Sequence, residues 1–281
     1  MSLALAGWQA PLMLLDGKVA VVTGAGRGLG RAHALALAAN GAKVLVNDVG
    51  GADEVAKEID AAGHEAVADH TDLATMAAAH SVVDAAVRAF GTVDILVNNA
   101  GISRRQPLDE LDETALDLHL AVHLKATIAT TQAAFPVMAA AGGGRIVNTV
   151  SGAGLRPEHP GTTAYACAKA AVYAATLVAA AEGRSHDIRV NAVSPLAITP
   201  MSEAFFQDAD AGYREALAPA RVSQIVVFLA SELAGGLTGR IIRVEGEHVS
   251  EAAMVWSEGA TAPGGWTPDG LAARLDEVLF T

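Results

Sequence analysis

Tyr165 and Lys169 stand four residues apart in an Ala-rich run, 163–182, whose composition predicts a helix. At that spacing two side chains share one helix face. A free phenol titrates near pH 10 and is a poor base at neutral pH. An ammonium beside it stabilises the phenolate and lowers that value toward the range useful for taking a proton from an alcohol. An isolated Tyr/Lys pair also suits a plain exposed helix face, so the pair acquires meaning only from what surrounds it.

A second cluster lies near the start. The run Lys18–Thr23 reads as a buried strand and leads into Gly24-Ala25-Gly26-Arg27-Gly28-Leu29-Gly30, after which an apolar-periodic helix extends to about Asn40. Glycines between a first strand and a first helix let backbone approach a pyrophosphate, and the helix N-terminus offers free N–H groups to the anion. Asp48 closes the second predicted strand, 18 residues after Gly30. A carboxylate there accepts hydrogen bonds from a ribose diol and repels a 2′-phosphate, which favours NAD over NADP. Arg27 is the residue that argues the other way. A tight turn for the glycines, and a strand-end or helix-capping role for Asp48, remain the plain structural alternatives.

These groups need elements to hold them. Short apolar runs at 18–23, 42–47, 64–68, 93–97, 145–150, 188–192 and 240–244 alternate with helical stretches. Runs without polar alternation suit strands buried on both faces, and their alternation with helices implies βαβ crossovers. The expected fold is α/β: one Rossmann-type, doubly wound parallel sheet of about seven strands with helices on both faces. The expected organisation is an N-terminal extension at 1–14, a dinucleotide-binding and catalytic domain at 15–245, and a C-terminal extension at 246–281. One long helix is expected through 112–140, others at about 202–216 and 221–233, and a last amphipathic one at 268–279.

Composition narrows the classes. The chain has 281 residues, 52% of them hydrophobic and 18% charged, which excludes a disordered polyampholyte. A net charge of −12 provides no basic footprint, so neither nucleic acid nor an anionic membrane surface is an expected partner. Cys167 is the single cysteine, so no intrachain disulfide or cysteine-based zinc site forms, and a cytoplasmic location is expected.

The markers occur in order: Thr23 to Gly30, Asp69, Asn98-Asn99-Ala100-Gly101, Ser151, Tyr165 with Lys169, and Ser194-Pro195. In this the chain resembles the short-chain dehydrogenase/reductase family over roughly residues 15–245. It is most similar to (3R)-hydroxyacyl-CoA dehydrogenase domains and to 3-oxoacyl-carrier-protein reductases. The resemblance implies cofactor contacts from Gly24, Arg27, Gly28, Leu29, Gly30, Asp48, Asp69, His70, Asn99, Ala100 and Gly101. It adds Tyr165, Lys169, Pro195, Ile198 and Thr199, the last two meeting the nicotinamide carboxamide. It makes Tyr165 the acid/base, gives Ser151 the reacting oxygen, and has Lys169 tune the phenol and hold the nicotinamide ribose. His123 falls where many members carry an asparagine that supports a proton-relaying water, and imidazole can donate and accept near neutral pH. A core or helix-surface histidine is the alternative there. His119 and His123 lack the glutamate of a zinc-protease helix and a third ligand, so no metal is expected.

Two departures bear on substrate: Pro195-Leu196 replaces the usual Pro-Gly, and Glu245-Gly246-Glu247 the usual double glycine. The expected activity is NAD-dependent hydride transfer to or from a secondary alcohol or its ketone, a 3-hydroxyacyl thioester being one candidate. The competing readings are an NADPH-linked carbonyl or 3-oxoacyl reductase and a catalytically silent NAD-binding scaffold. The apolar circumference of the helix carrying Tyr165 implies burial on more than one side, hence a homodimer or homotetramer. Burial under the chain's own tail would satisfy it equally.

Overall fold

The computed structural model describes residues 13–156 and 159–280. Nearly all of the expected extension at 1–14 therefore lies outside the described residues. In chain order the elements are β1 (Val19–Thr23), α1 (Gly28–Ala39), β2 (Lys43–Asn47), α2 (Ala52–Ala61), β3 (Ala66–Asp69) and α3 (Met76–Phe90). Next come β4 (Ile95–Asn98), α4 (Glu113–His119), a π-helical turn (Leu120–Lys125), α5 (Ala126–Ala140), β5 (Gly144–Thr149) and α6 (Gly152–Leu155). The last are α7 (Thr163–Gly183), β6 (Ile188–Leu196), α8 (Ala211–Ala216), α9 (Pro219–Ala230), β7 (Ile241–Glu245), β8 (His248–Glu251), α10 (Pro268–Ala273) and α11 (Leu275–Val278).

All eight strands form one sheet in the order β3-β2-β1-β4-β5-β6-β7-β8. The first seven are parallel, and β8 runs antiparallel to β7. Strands β1, β4 and β5 are buried throughout, as strands covered on both faces of a parallel sheet are. On one face Val22, Val46 and Val97 pack with Leu37 of α1 and Val226 of α9. On the other, Val21, Leu45 and Leu96 pack with Val82 of α3 and Ala129 of α5. Full burial of each large aliphatic side chain is worth about 1.5–3 kcal/mol, so the sheet is a stiff platform for whatever sits at its edge.

The strand order reverses between β1 and β4. In open α/β sheets the ligand crevice lies at the carboxyl ends of the strands at such a switch point, and the Gly-rich turn leaves β1 there.

Four features differ from the sequence expectation. An eighth strand carries the sheet past residue 245: Glu245 pairs with His248 across a two-residue turn whose Gly246 has φ +59°. Glycine's tolerance of positive φ permits that turn. The long helix at 112–140 is interrupted by the π-helical turn holding His123. The stretch 202–216 forms only a 3₁₀ turn (Glu203–Phe205) and α8. The C-terminal helix splits at Arg274, whose φ of −129° is not helical. Among the described residues one helical segment, Thr163–His186, is long and apolar enough to span a membrane by composition alone. It packs against β5 and β6 instead.

Candidate active site

The Gly-rich turn is built so that no side chain can enter it. A Cβ on Gly26 would stand 2.0 Å from Gly50 O, and one on Gly30 2.0 Å from Gly24 O. Gly24 and Gly28 have φ of +63° and +56°, conformations that favour glycine. Arg27 takes the N-cap position of α1 in extended conformation, with no side-chain cap on the helix. The first N–H groups of α1 are therefore left for an anionic ligand, as a pyrophosphate requires. Asn99 braces the turn from β4, its Nδ2 donating to Thr23 O and Gly24 O at 3.0 Å each. Thr23 Oγ1 in return accepts from the N–H groups of Asn99 and Ala100 at 3.0 and 3.1 Å. Thr23 opens the glycine motif in the sequence, but its bracing role is visible only once β1 and β4 are neighbours.

Asp48 lies at the end of β2 beside this turn. Its Oδ2 accepts from Gly26 N at 2.9 Å and its Oδ1 from Gly50 N at 3.1 Å. Each carboxylate oxygen keeps a further lone pair for a ribose hydroxyl. Asp69 ends β3 and accepts from Asn47 Nδ2 at 2.8 Å, while the exposed His70 lies 3.2 Å from Asp53. Arg27 is exposed.

At the other end of the crevice, β5 and α7 bring three residues together. Ser151 caps α6, its Oγ accepting from Ala153 N at 3.2 Å, and it is hydrogen-bonded to Tyr165. Lys169 is 4% exposed; its Nζ donates to Thr149 O at 2.6 Å and sits 6.0 Å from the Tyr165 ring centroid. His123 meets the same phenol edge-on at 5.3 Å. The buried polar ladder Thr130–Asn98–Asn148–Thr176 ties α5, β4, β5 and α7 together beneath them, at 2.7, 2.9 and 3.0 Å. Asn148 and Thr176 carry no local sequence signal of that role.

The electrostatics correct one expectation. Burial pushes the Tyr165 phenol above its ordinary value, and the hydrogen bond with Ser151 only partly offsets this. Lys169 does not acidify it in the chain alone, because its ammonium is directed at Thr149 O and burial lowers its own pKa to about 7. His123 is held well below its ordinary value, first by burial and then by the charge of Lys169. It is therefore neutral at physiological pH. Its Nε2 lies 2.8 Å from Ile102 O and 3.1 Å from Ile102 N, and its buried Nδ1 has no partner among the described residues. His119 stacks one turn away, with Nδ1 on Ala115 O and Nε2 accepting from Arg104 N. Both imidazoles thus grip the strand-to-helix loop at 102–104.

Ile198 and Thr199 follow β6 and complete the rim, with Thr199 packed against the bare Cα of Gly28. Pro195 and Leu196 are the last two residues of β6, both half-buried. The structure thus gathers the glycines, Asp48, Asn99, Ser151, Tyr165, Lys169 and Thr199 along one edge of the sheet. His70 and Arg27 stand at its solvent margin.

The chain matches the family model for short chain dehydrogenase over residues 18–210. It is 39% identical to hydroxyacyl-CoA dehydrogenase ChsB1 of Mycobacterium tuberculosis, with 94% of this chain and 89% of that protein covered. It is 41% identical to peroxisomal multifunctional enzyme type 2 of Drosophila melanogaster over 77% of this chain, but spans only 37% of that longer protein. The crystal structure of a short chain dehydrogenase from Mycobacterium avium superposes with a TM-score of 0.84 at 41% identity, covering 94% and 95% of the two chains. With the family match spanning more than half its length and relatives of this similarity, the chain belongs to the short-chain dehydrogenases, oxidoreductases that bind a nicotinamide dinucleotide.

Proposed function

We propose that this chain is an NAD-dependent dehydrogenase that oxidises a secondary alcohol, with a 3-hydroxyacyl thioester as the substrate class. The arrangement that carries this reading is Ser151, Tyr165 and Lys169 converging at one end of a crevice whose other end is closed by Asp48. The thioester class follows the two relatives named hydroxyacyl-CoA dehydrogenase and peroxisomal multifunctional enzyme. The dinucleotide supplies the hydride acceptor. The chain's own residues do the rest. Ser151 holds the alcohol oxygen beside the phenol. Tyr165 takes the hydroxyl proton. Lys169, with a pKa of about 7, passes the proton on toward solvent, and Nδ1 of His123, which has no partner among the described residues, is placed to hold the water that relays it. In this reading a bound oxidised nicotinamide ring would supply the positive charge that makes the phenol a base, and Lys169 is the residue that would hold the cofactor's ribose.

A screen of NAD reduction across 3-hydroxyacyl thioesters, cyclic alcohols and steroids tests this directly. Turnover is expected with the thioesters, and none with any alcohol would refute it.

Cofactor choice rests on Asp48. Removing its charge as Asp48→Ala abolishes repulsion of a 2′-phosphate and one partner each of Gly26 N and Gly50 N. The NAD-over-NADP preference in kcat/KM is expected to fall by about tenfold or more, the scale of one lost charge-assisted contact. An unchanged ratio would remove Asp48 from cofactor selection.

The outward face of α7 carries Cys167, Ala174 and Val178, all exposed, Val178 at 58%. An apolar stripe at helical spacing suits packing against a second copy. Light scattering at micromolar concentration is expected to give a dimer or tetramer, and a monomer alone would contradict this.

A further inference from the structure

The loop after β6 contains a hydroxyl arrangement whose protons can be counted. Ser202 Oγ lies 2.8 Å from Ala197 O, with Thr199 O a more distant alternative at 3.4 Å. It also lies 2.9 Å from Thr199 N and 3.2 Å from Thr199 Oγ1. A hydroxyl has one proton and two acceptor sites. Both carbonyls can only accept, so whichever is engaged takes the Ser202 proton. The Thr199 N–H must donate to Ser202. The remaining contact is then satisfied only if the Thr199 hydroxyl donates to Ser202 as well. Its own proton is thereby committed, and only its lone pairs remain for a ligand.

Thr199 is also fixed in place. Its Cβ lies 3.4 Å from where a Cβ on Gly28 would stand, so it packs directly on the Gly-rich turn. Two backbone bonds onto Thr199 O, from Ser202 N at 2.9 Å and Glu203 N at 2.8 Å, close the loop on itself. Among the described residues Ser202 is the one side chain that links Ala197 O, Thr199 N and Thr199 Oγ1 together.

We infer that Ser202 is a positioning residue that makes Thr199 an obligate hydrogen-bond acceptor, so that the cofactor end lying against it is recognised through a donor. The nicotinamide carboxamide supplies such a donor in its N–H₂ group. A phosphate oxygen, which can only accept, finds no partner in the Thr199 hydroxyl. This inference rests on the reading that Ile198 and Thr199 face the nicotinamide, and it adds the reason that the side chain there selects an amide.

The test is calorimetric binding of two dinucleotides, NAD and its 3-acetylpyridine analogue, in which a methyl group replaces the amide NH₂. The wild-type protein is expected to bind NAD about tenfold more tightly, the worth of one well-made hydrogen bond. Ser202→Ala frees the Thr199 hydroxyl and is expected to narrow that ratio to about threefold or less. Ser202→Thr, which keeps the hydroxyl, restores it, and Thr199→Val abolishes it. General loosening of the loop would weaken both ligands equally and leave the ratio intact, so Ser202→Ala with an unchanged ratio overturns the inference. If Thr199→Val also leaves the ratio unchanged, the placement of the carboxamide at Thr199 is itself wrong. Thermal melts establish that each variant is folded, and if Ser202→Ala is not, Ser202→Cys gives the same comparison with a weaker donor.

Discussion

Tyr165→Phe is expected to lower turnover by about a thousandfold while leaving the affinity for reduced dinucleotide within about twofold of wild type. The substitution deletes one hydroxyl from a half-buried side chain and keeps the ring that meets His123 at 5.3 Å. General acid–base catalysis contributes 10²–10⁴-fold. Stability should fall by only about 1 kcal/mol, the worth of the lost bond with Ser151. Stopped-flow turnover with equilibrium binding measures both quantities. Retained turnover would remove Tyr165 as the acid/base, and lost binding would show that the ring was a structural support.

Lys169→Met should lose activity and gain stability together. Lys169 is buried, and burial alone lowers its pKa from 10.5 to about 7. A basic group with a lowered folded-state pKa costs stability wherever the unfolded chain is charged and the folded chain resists charging. The cost is full below about pH 7, shrinks as pH rises toward 10.5, and vanishes above it. Methionine fills similar volume without the charge, at the expense of the Thr149 O acceptor. The variant is therefore expected to melt higher than wild type at neutral and acid pH, with the advantage fading as pH rises toward 10.5. Turnover should fall by about a hundredfold, because the phenol keeps the raised pKa that burial imposes on it. A variant less stable than wild type at pH 6 would show that the Lys169–Thr149 bond outweighs the buried charge.

How much of this was legible in the residues depends on the range of the interaction. The buried strands, the glycine turn and the i,i+4 relation of Tyr165 to Lys169 are local, and their periodicity or composition announces them. The parallel sheet followed from strands and helices alternating, since βαβ connections leave few other topologies. What was missed depends on neighbours distant in sequence. β8 is short and polar (His248–Glu251), so nothing in its pattern demands burial, and only its pairing with β7 defines it. Asn148 is an ordinary residue until α7 is brought against it, and Ser202 until its own loop after β6 folds back on Ala197 and Thr199. The direction of the Tyr165 shift was unreadable for a further reason. Sequence spacing sets which groups are close, whereas desolvation depends on everything packed above them. At Tyr165 desolvation wins.

That result makes the state of the phenol the point on which the account turns. Spectrophotometric pH titration of tyrosinate absorption, wild type minus Tyr165→Phe, isolates this one phenol among three tyrosines. In the protein alone the Tyr165 titration is expected above the ordinary value near 10. On saturation with oxidised dinucleotide it should move down by at least about two pKa units, the scale of one charge acting at about 6 Å in a protein interior. A titration that stays above 10 with the oxidised cofactor bound would contradict a tyrosine base and the mechanism built on it.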